Sequence, residues 1–177
     1  MDFDTGLLPN ALGLLGVVCN IGWPFFRHRS AMLWGQTVGF SAFTAHFLLL
    51  GANTGALMSA LGGVQAILAV PLGRSARFRM LYLAVLPVIA GAVALTWMGL
   101  PSVFSGTAMA IISVGRYQLD VVRFRVLMLV CIPFWSAHNV LVGSIPGLIS
   151  DAFSFAAGAW MLWVTVRQVH GIDRSTR

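Results

Sequence analysis

Seven stretches of this chain are too apolar, and most of them too long, to be covered by the surface of a soluble fold. They run Leu7–Phe26, Ala31–Leu50, Gly55–Leu72, Met80–Met98, Ser102–Gly115, Phe124–Val142 and Ile145–Val166. A bilayer core asks for about 20 apolar residues per helical crossing. Lipid offers the backbone no hydrogen-bond partners, so each run must be a helix or part of a closed barrel. The runs lack the two-residue alternation of a barrel strand. Composition agrees: 58% of residues are hydrophobic and only 9% charged, against roughly 25% charged in soluble domains. The expected fold class is an all-α polytopic membrane protein with seven transmembrane helices, the fifth being the shortest.

The charges order these helices. Eleven basic residues, all arginine, give a formal net charge of +6. Arg27 and Arg29 follow the first run; Arg74, Arg77 and Arg79 follow the third. Arg116, Arg123 and Arg125 lie between the fifth and sixth, and Arg167, Arg174 and Arg177 follow the seventh. The connections near Ala52–Thr54, Gly99–Pro101 and Gly143–Pro146 carry none. With seven crossings every arginine falls on one face, and the positive-inside rule makes that face cytoplasmic. The N-terminus is then periplasmic, the C-terminus cytoplasmic, and the membrane the bacterial inner (plasma) membrane. Such loop arginines read as topology signals, so nucleic acid is not expected as a partner. Asp2 and Asp4 stand where a signal peptide needs positive charge, so the first run is expected to be retained as a span. Trp23, Trp34, Tyr82, Trp97, Tyr117 and Trp163 lie near run ends, as an aromatic belt requires.

The chain repeats itself. Ala45–Gly55 reads AHFLLLGANTG and Ala137–Gly147 reads AHNVLVGSIPG, and the same offset pairs Leu8-Pro9 with Leu100-Pro101. Residues 1–79 form a first three-helix repeat, 80–98 a linker helix, and 99–177 a second three-helix repeat with a short cytoplasmic tail. Two triplets on either side of one crossing share an orientation, which makes them parallel repeats about an axis along the membrane normal.

Ionisable groups inside spans are costly, and function is the usual reason to keep them. His46 ends the second run, His138 ends the sixth, and Asp151 lies in the seventh. His138 and Asp151 flank the Ser144–Ile145 turn at similar depth, so a hydrogen bond between them is expected. Ser59 takes the place of Asp151 in the first repeat, and Trp135 stands one turn before His138. His46, His138, Asp151, Ser59 and Trp135 are the candidate lining of an outer polar vestibule. Gln65, Asn20 and Ser154 are the candidates for a central cavity nearer mid-membrane. The bland alternative is that each histidine ties two helices together. Three such groups would also suit zinc, but nothing in their spacing is specific for a metal. Pro87 and Pro133 lie inside runs and are expected to kink them.

At the two turns the sequence resembles a known family. The HF-x-LLG segment at His46–Gly51, the HN-x(3)-GSI-x-G segment at His138–Gly147 and the tail VRQVHGID at Val166–Asp173 are similar to YgjV-type bacterial inner membrane proteins. That resemblance implies location rather than activity. The triplet–linker–triplet plan also resembles the SWEET and PQ-loop transporters. The Pro-Gln pair of those proteins is absent, since Pro24 precedes Phe25 and Pro133 precedes Phe134.

Neither a phosphate-binding glycine loop nor a nucleophile elbow occurs, so an enzyme is not expected and no cofactor is implied. The leading expectation is a SWEET-like carrier of a small polar solute, with the bilayer as its constant partner and oligomerisation left open. The rival is a non-transporting membrane protein: an assembly partner, scaffold or sensor. Interior polarity separates them, because a carrier needs polar groups around a central cavity.

Overall fold

A computed structural model describes residues 6–22, 26, 29–72 and 75–175. These form helices α1 (Leu7–Gly22), α2 (Arg29–Leu49), α3 (Asn53–Leu72), α4 (Ala76–Ala84), α5 (Leu86–Leu95), α6 (Leu100–Tyr117), α7 (Val121–Leu141) and α8 (Ile145–Ser175), with no strand among the described residues. Helices α4 and α5 are one rod interrupted at Val85, so the described residues form seven helical segments. The interruption lies two residues before Pro87, whose ring and missing N–H disrupt the preceding turn. Pro133, by contrast, sits inside an α7 that continues through it. Trp23, Pro24, Arg27, His28, Arg74 and Arg177 lie outside the described residues.

Among the described residues, three stretches are long and apolar enough to cross a membrane, Phe78–Leu95, Val122–Leu141 and Ile145–Gln168, and α1 is a shorter apolar helix. Only 6% of the α8 stretch is buried in the protein. Its outward face presents Phe153, Phe155, Trp160 and Trp163, a surface that lipid solvates and water does not. Helices α2 and α6 carry polar residues, Thr37 and His46 in the first and Ser102, Ser105 and Ser113 in the second. All of these are buried inside the bundle.

Packing closes six helices into a ring. Helix α1 packs on α2 and α8, α2 on α3, α3 on α6, α6 on α7, and α7 on α8, while α4 and α5 lean against the outside of α6. Two apolar cores hold the bundle together. Val17, Phe43, Phe47, Ala52 and Ala56 form one, and Met58, Ile89, Ala92, Met109, Ile112 and Cys131 the other. Trp135 packs against both.

The two turns that repeat in sequence have matching geometry. Gly51 and Gly143 adopt φ of 69° and 70°, a left-handed conformation that costs glycine little. Each turn closes with a backbone bond of 2.8 Å, from Ala52 N to Phe47 O and from Ser144 N to Asn139 O. Helices α2 and α7 both span 21 residues, and α3 and α8 start at matching positions, Asn53 and Ile145.

Candidate functional site: two histidine clasps and an intramembrane acid

His46 and His138 occupy the last turns of α2 and α7 and are 0% and 1% exposed. His46 Nδ1 lies 2.7 Å from the carbonyl of Pro9 at the start of α1. His138 Nδ1 lies 2.9 Å from the carbonyl of Pro101 at the start of α6. A carbonyl only accepts, so each Nδ1 carries the ring proton and each neutral Nε2 is left as an acceptor. The clasps diverge at that second nitrogen. Ser144 Oγ lies 2.8 Å from His46 Nε2 and also accepts from Gly147 N at 3.1 Å. Its own proton therefore goes to the imidazole, while the oxygen caps the first turn of α8. The first-repeat counterpart of Ser144 is Ala52, and among the described residues His138 Nε2 has no hydrogen-bond partner. Close approach demands glycine beside both clasps. A Cβ on Gly55 would collide with His138 Nε2, and one on Gly13 would lie 2.6 Å from Pro146.

Between the clasps the space is filled by rings. Phe47 lies 5.3 Å from the ring of His46 and 5.2 Å from that of His138. It stacks on Trp135 at 6.1 Å and on Phe43 at 5.8 Å, while Trp135 meets His138 edge-on at 5.6 Å. The histidines thus flank an aromatic plug and do not face each other.

Asp151, on α8, is bonded differently from the sequence expectation. Its Oδ2 accepts from Ser136 Oγ at 3.0 Å and from Asn139 Nδ2 at 2.8 Å, both on α7. His138 is not its partner. Adjacent helical residues point about 100° apart, whereas residues three apart share a face. Ser136 and Asn139 therefore turn toward α8 together, and His138 turns toward α6 and α3.

Further from the turns, polar bonds close both seams of the ring. Across the α1/α8 seam, Asn20 Nδ2 donates to Ser150 Oγ at 2.9 Å. Across α3/α6, Gln65 Nε2 donates to Ser113 Oγ at 3.0 Å. Gln65 Oε1 accepts from Arg116 Nη1 at 2.5 Å. The Arg116 guanidinium also lies 5.6 Å from the ring centre of Phe40. At the turn end of the same seam, Thr54 Oγ1 bonds Thr96 O and Ser102 Oγ. Helix α6 thus carries its polar residues as an inward stripe of Ser102, Ser105, Ser113 and Arg116.

A family model described as bacterial inner membrane protein, Imp-YgjV, matches residues 7–168, from the start of α1 to deep in α8. The chain belongs to the Imp-YgjV family. No curated protein and no solved structure matches it.

In this Imp-YgjV chain the sequence-derived residues are not gathered at one place. His46, His138 and Trp135 meet at the plug, whereas Asp151 belongs to a separate α7/α8 cluster and Ser59 is buried in α3. Asn20 and Gln65 lie on opposite seams, and Ser154 is half-buried on α8. The sequence alone does not single out Ser136, Asn139, Ser144 or Ser113, and in it Arg116 reads as a loop residue. The signal for α6 was present: Ser102, Ser105, Met109, Ser113 and Arg116 recur every three or four residues, one face of a helix.

Proposed function

We propose that this inner-membrane protein crosses the bilayer seven times, N-terminus outside and C-terminus inside. In this reading it is a carrier of a small polar solute, captured with its outer end shut. The two three-helix units are the moving bodies and the plug of Phe43, Phe47 and Trp135 is the outer gate. The observation that carries this reading is the duplicated clasp, His46 on Pro9 and His138 on Pro101. It makes two like bodies that meet at the seams α1/α8 and α3/α6. Asn20 and Ser150 on one seam and Ser113 on the other support the reading, as polar groups that a parting of the seams would expose. The eleven arginines, all on one face of a seven-span arrangement, support the orientation.

The test is sided thiol labelling. With Cys19 and Cys131 replaced by alanine, Ser113→Cys should react with a membrane-impermeant maleimide from the cytoplasmic face and not from the periplasmic face. Adding His46→Ala and His138→Ala should open the periplasmic route. If Ser113→Cys is unreactive from both faces in both backgrounds, the carrier reading fails. A second reading is then favoured by the ring-filled centre: a static scaffold whose histidines only hold helices together.

A further inference from the structure

We propose that the gap between α3 and α4 is a binding site for one anionic phospholipid of the cytoplasmic leaflet. The leaflet assignment rests on the orientation proposed above; the site itself does not. Leu61, Val64, Gln65 and Leu68 on α3 face Phe78, Leu81, Tyr82 and Val85 on α4 and the Val85 break across a cleft of about 260 Å³. On each helix the lining recurs at spacings of three and four, the pattern of a helix stripe that seeks a partner. Among the described residues no helix packs into this one: α3 meets chiefly α2, α6 and α5, while α4 meets chiefly α6 and α5. Val64, Leu68, Phe78 and Leu81 remain substantially exposed along it. From Leu61 to Leu68 the wall is roughly 10 Å long, room for part of an acyl chain.

Charge selects the occupant. Gln65 at the cleft is held by Arg116, whose Nη1 also reaches the Gly62 carbonyl at 3.4 Å. One turn before Tyr82, Arg79 donates from Nε to Tyr117 O at 3.2 Å and lies 5.1 Å from the Tyr117 ring centre. These partners are neutral. The two acids whose surroundings are described are engaged elsewhere, Asp120 as the cap of α7 and Asp151 with Ser136 and Asn139. Among the described residues, Arg79, next to Phe78, and Arg116, bonded to Gln65, therefore border the apolar cleft without a counter-ion. A phosphate headgroup joined to an acyl chain supplies both missing parts, as basic pockets between membrane helices do elsewhere.

Native mass spectrometry of the purified protein in neutral detergent tests this, with phosphatidylglycerol and phosphatidylcholine of the same chains as probes. One phosphatidylglycerol should bind in preference, by roughly fivefold for each arginine engaged. Arg79→Gln should reduce that preference. Val64→Trp, at an exposed position, should fill the cleft and abolish the bound lipid while leaving the fold intact. Equal retention of the two lipids, or a preference that survives Val64→Trp, overturns the proposal. Neither result bears on sided labelling of Ser113→Cys, so failure of the lipid site and failure of the carrier reading are distinguishable.

Discussion

Ser144 Oγ lies 2.8 Å from His46 Nε2, so the turn between α7 and α8 is bonded to the histidine of α2. The counterpart contact is missing, because Ala52 stands where Ser144 stands and leaves His138 Nε2 unpaired. Ala52→Ser is expected to supply both a cap for α3 and a donor to His138. It should stabilise the protein by about 1 kcal/mol, the size of one helix cap. Ser144→Ala removes the same two bonds and should cost about 1–2 kcal/mol. Thermal unfolding in detergent reads both. Equal destabilisation by the two substitutions would contradict the assignment.

Asp151 accepts two hydrogen bonds on one oxygen, and asparagine can accept the same two. Asp151→Asn is therefore expected to keep the fold, with a stability change below about 1 kcal/mol. Asp151→Leu strands the Ser136 and Asn139 donors and should cost about 1–3 kcal/mol. Comparing unfolding temperatures of the pair checks this. His138→Gln should not mimic Asp151→Leu in a double-mutant cycle with Ser136→Ala, since the histidine is not part of that cluster.

Glycine substitutions separate close packing from open space. Gly55→Ala must displace His138, and Gly13→Ala must displace Pro146; each should cost about 1–3 kcal/mol through overpacking. A Cβ on Gly91, in α5, meets nothing within 4 Å, so Gly91→Ala should be neutral or stabilising. The order of the three melting temperatures is the readout, and a costly Gly91→Ala would contradict the packing.

Orientation has its own check. Alkaline phosphatase fused after Gly143 should be active, and a fluorescent protein fused to the C-terminus should fold in the cytoplasm and glow. The reverse pattern would invert the topology drawn from the arginines.

Much of the fold was legible in the sequence because lipid leaves so few choices. Apolar runs gave the helical segments, and the shared turns placed Gly51 with Gly143 and His46 with His138. The partners of those histidines were harder to see. Pro9 and Pro101 were visible as a matched pair, but nothing local says that their carbonyls receive an imidazole from the next helix. Asp151 was paired with His138 from depth alone, and depth ignores the 100° turn between His138 and Asn139. Asn20 and Gln65 were joined in one cavity because a sequence shows polarity but not which helices become neighbours. Arg116 was read as a loop charge although its spacing from Ser113 and Met109 put it on the buried stripe of α6.

The central claim is that the two three-helix units move apart at their outer turns. Double electron–electron resonance between spin labels at Asn53→Cys and Ile145→Cys, the exposed first residues of α3 and α8, measures that distance directly. The labels would be introduced after Cys19 and Cys131 are replaced by alanine and the protein placed in lipid. A carrier predicts two distance populations, with His46→Ala and His138→Ala shifting weight to the longer one. A single narrow distance, unchanged by removing both histidines, would contradict the account and leave a static bundle.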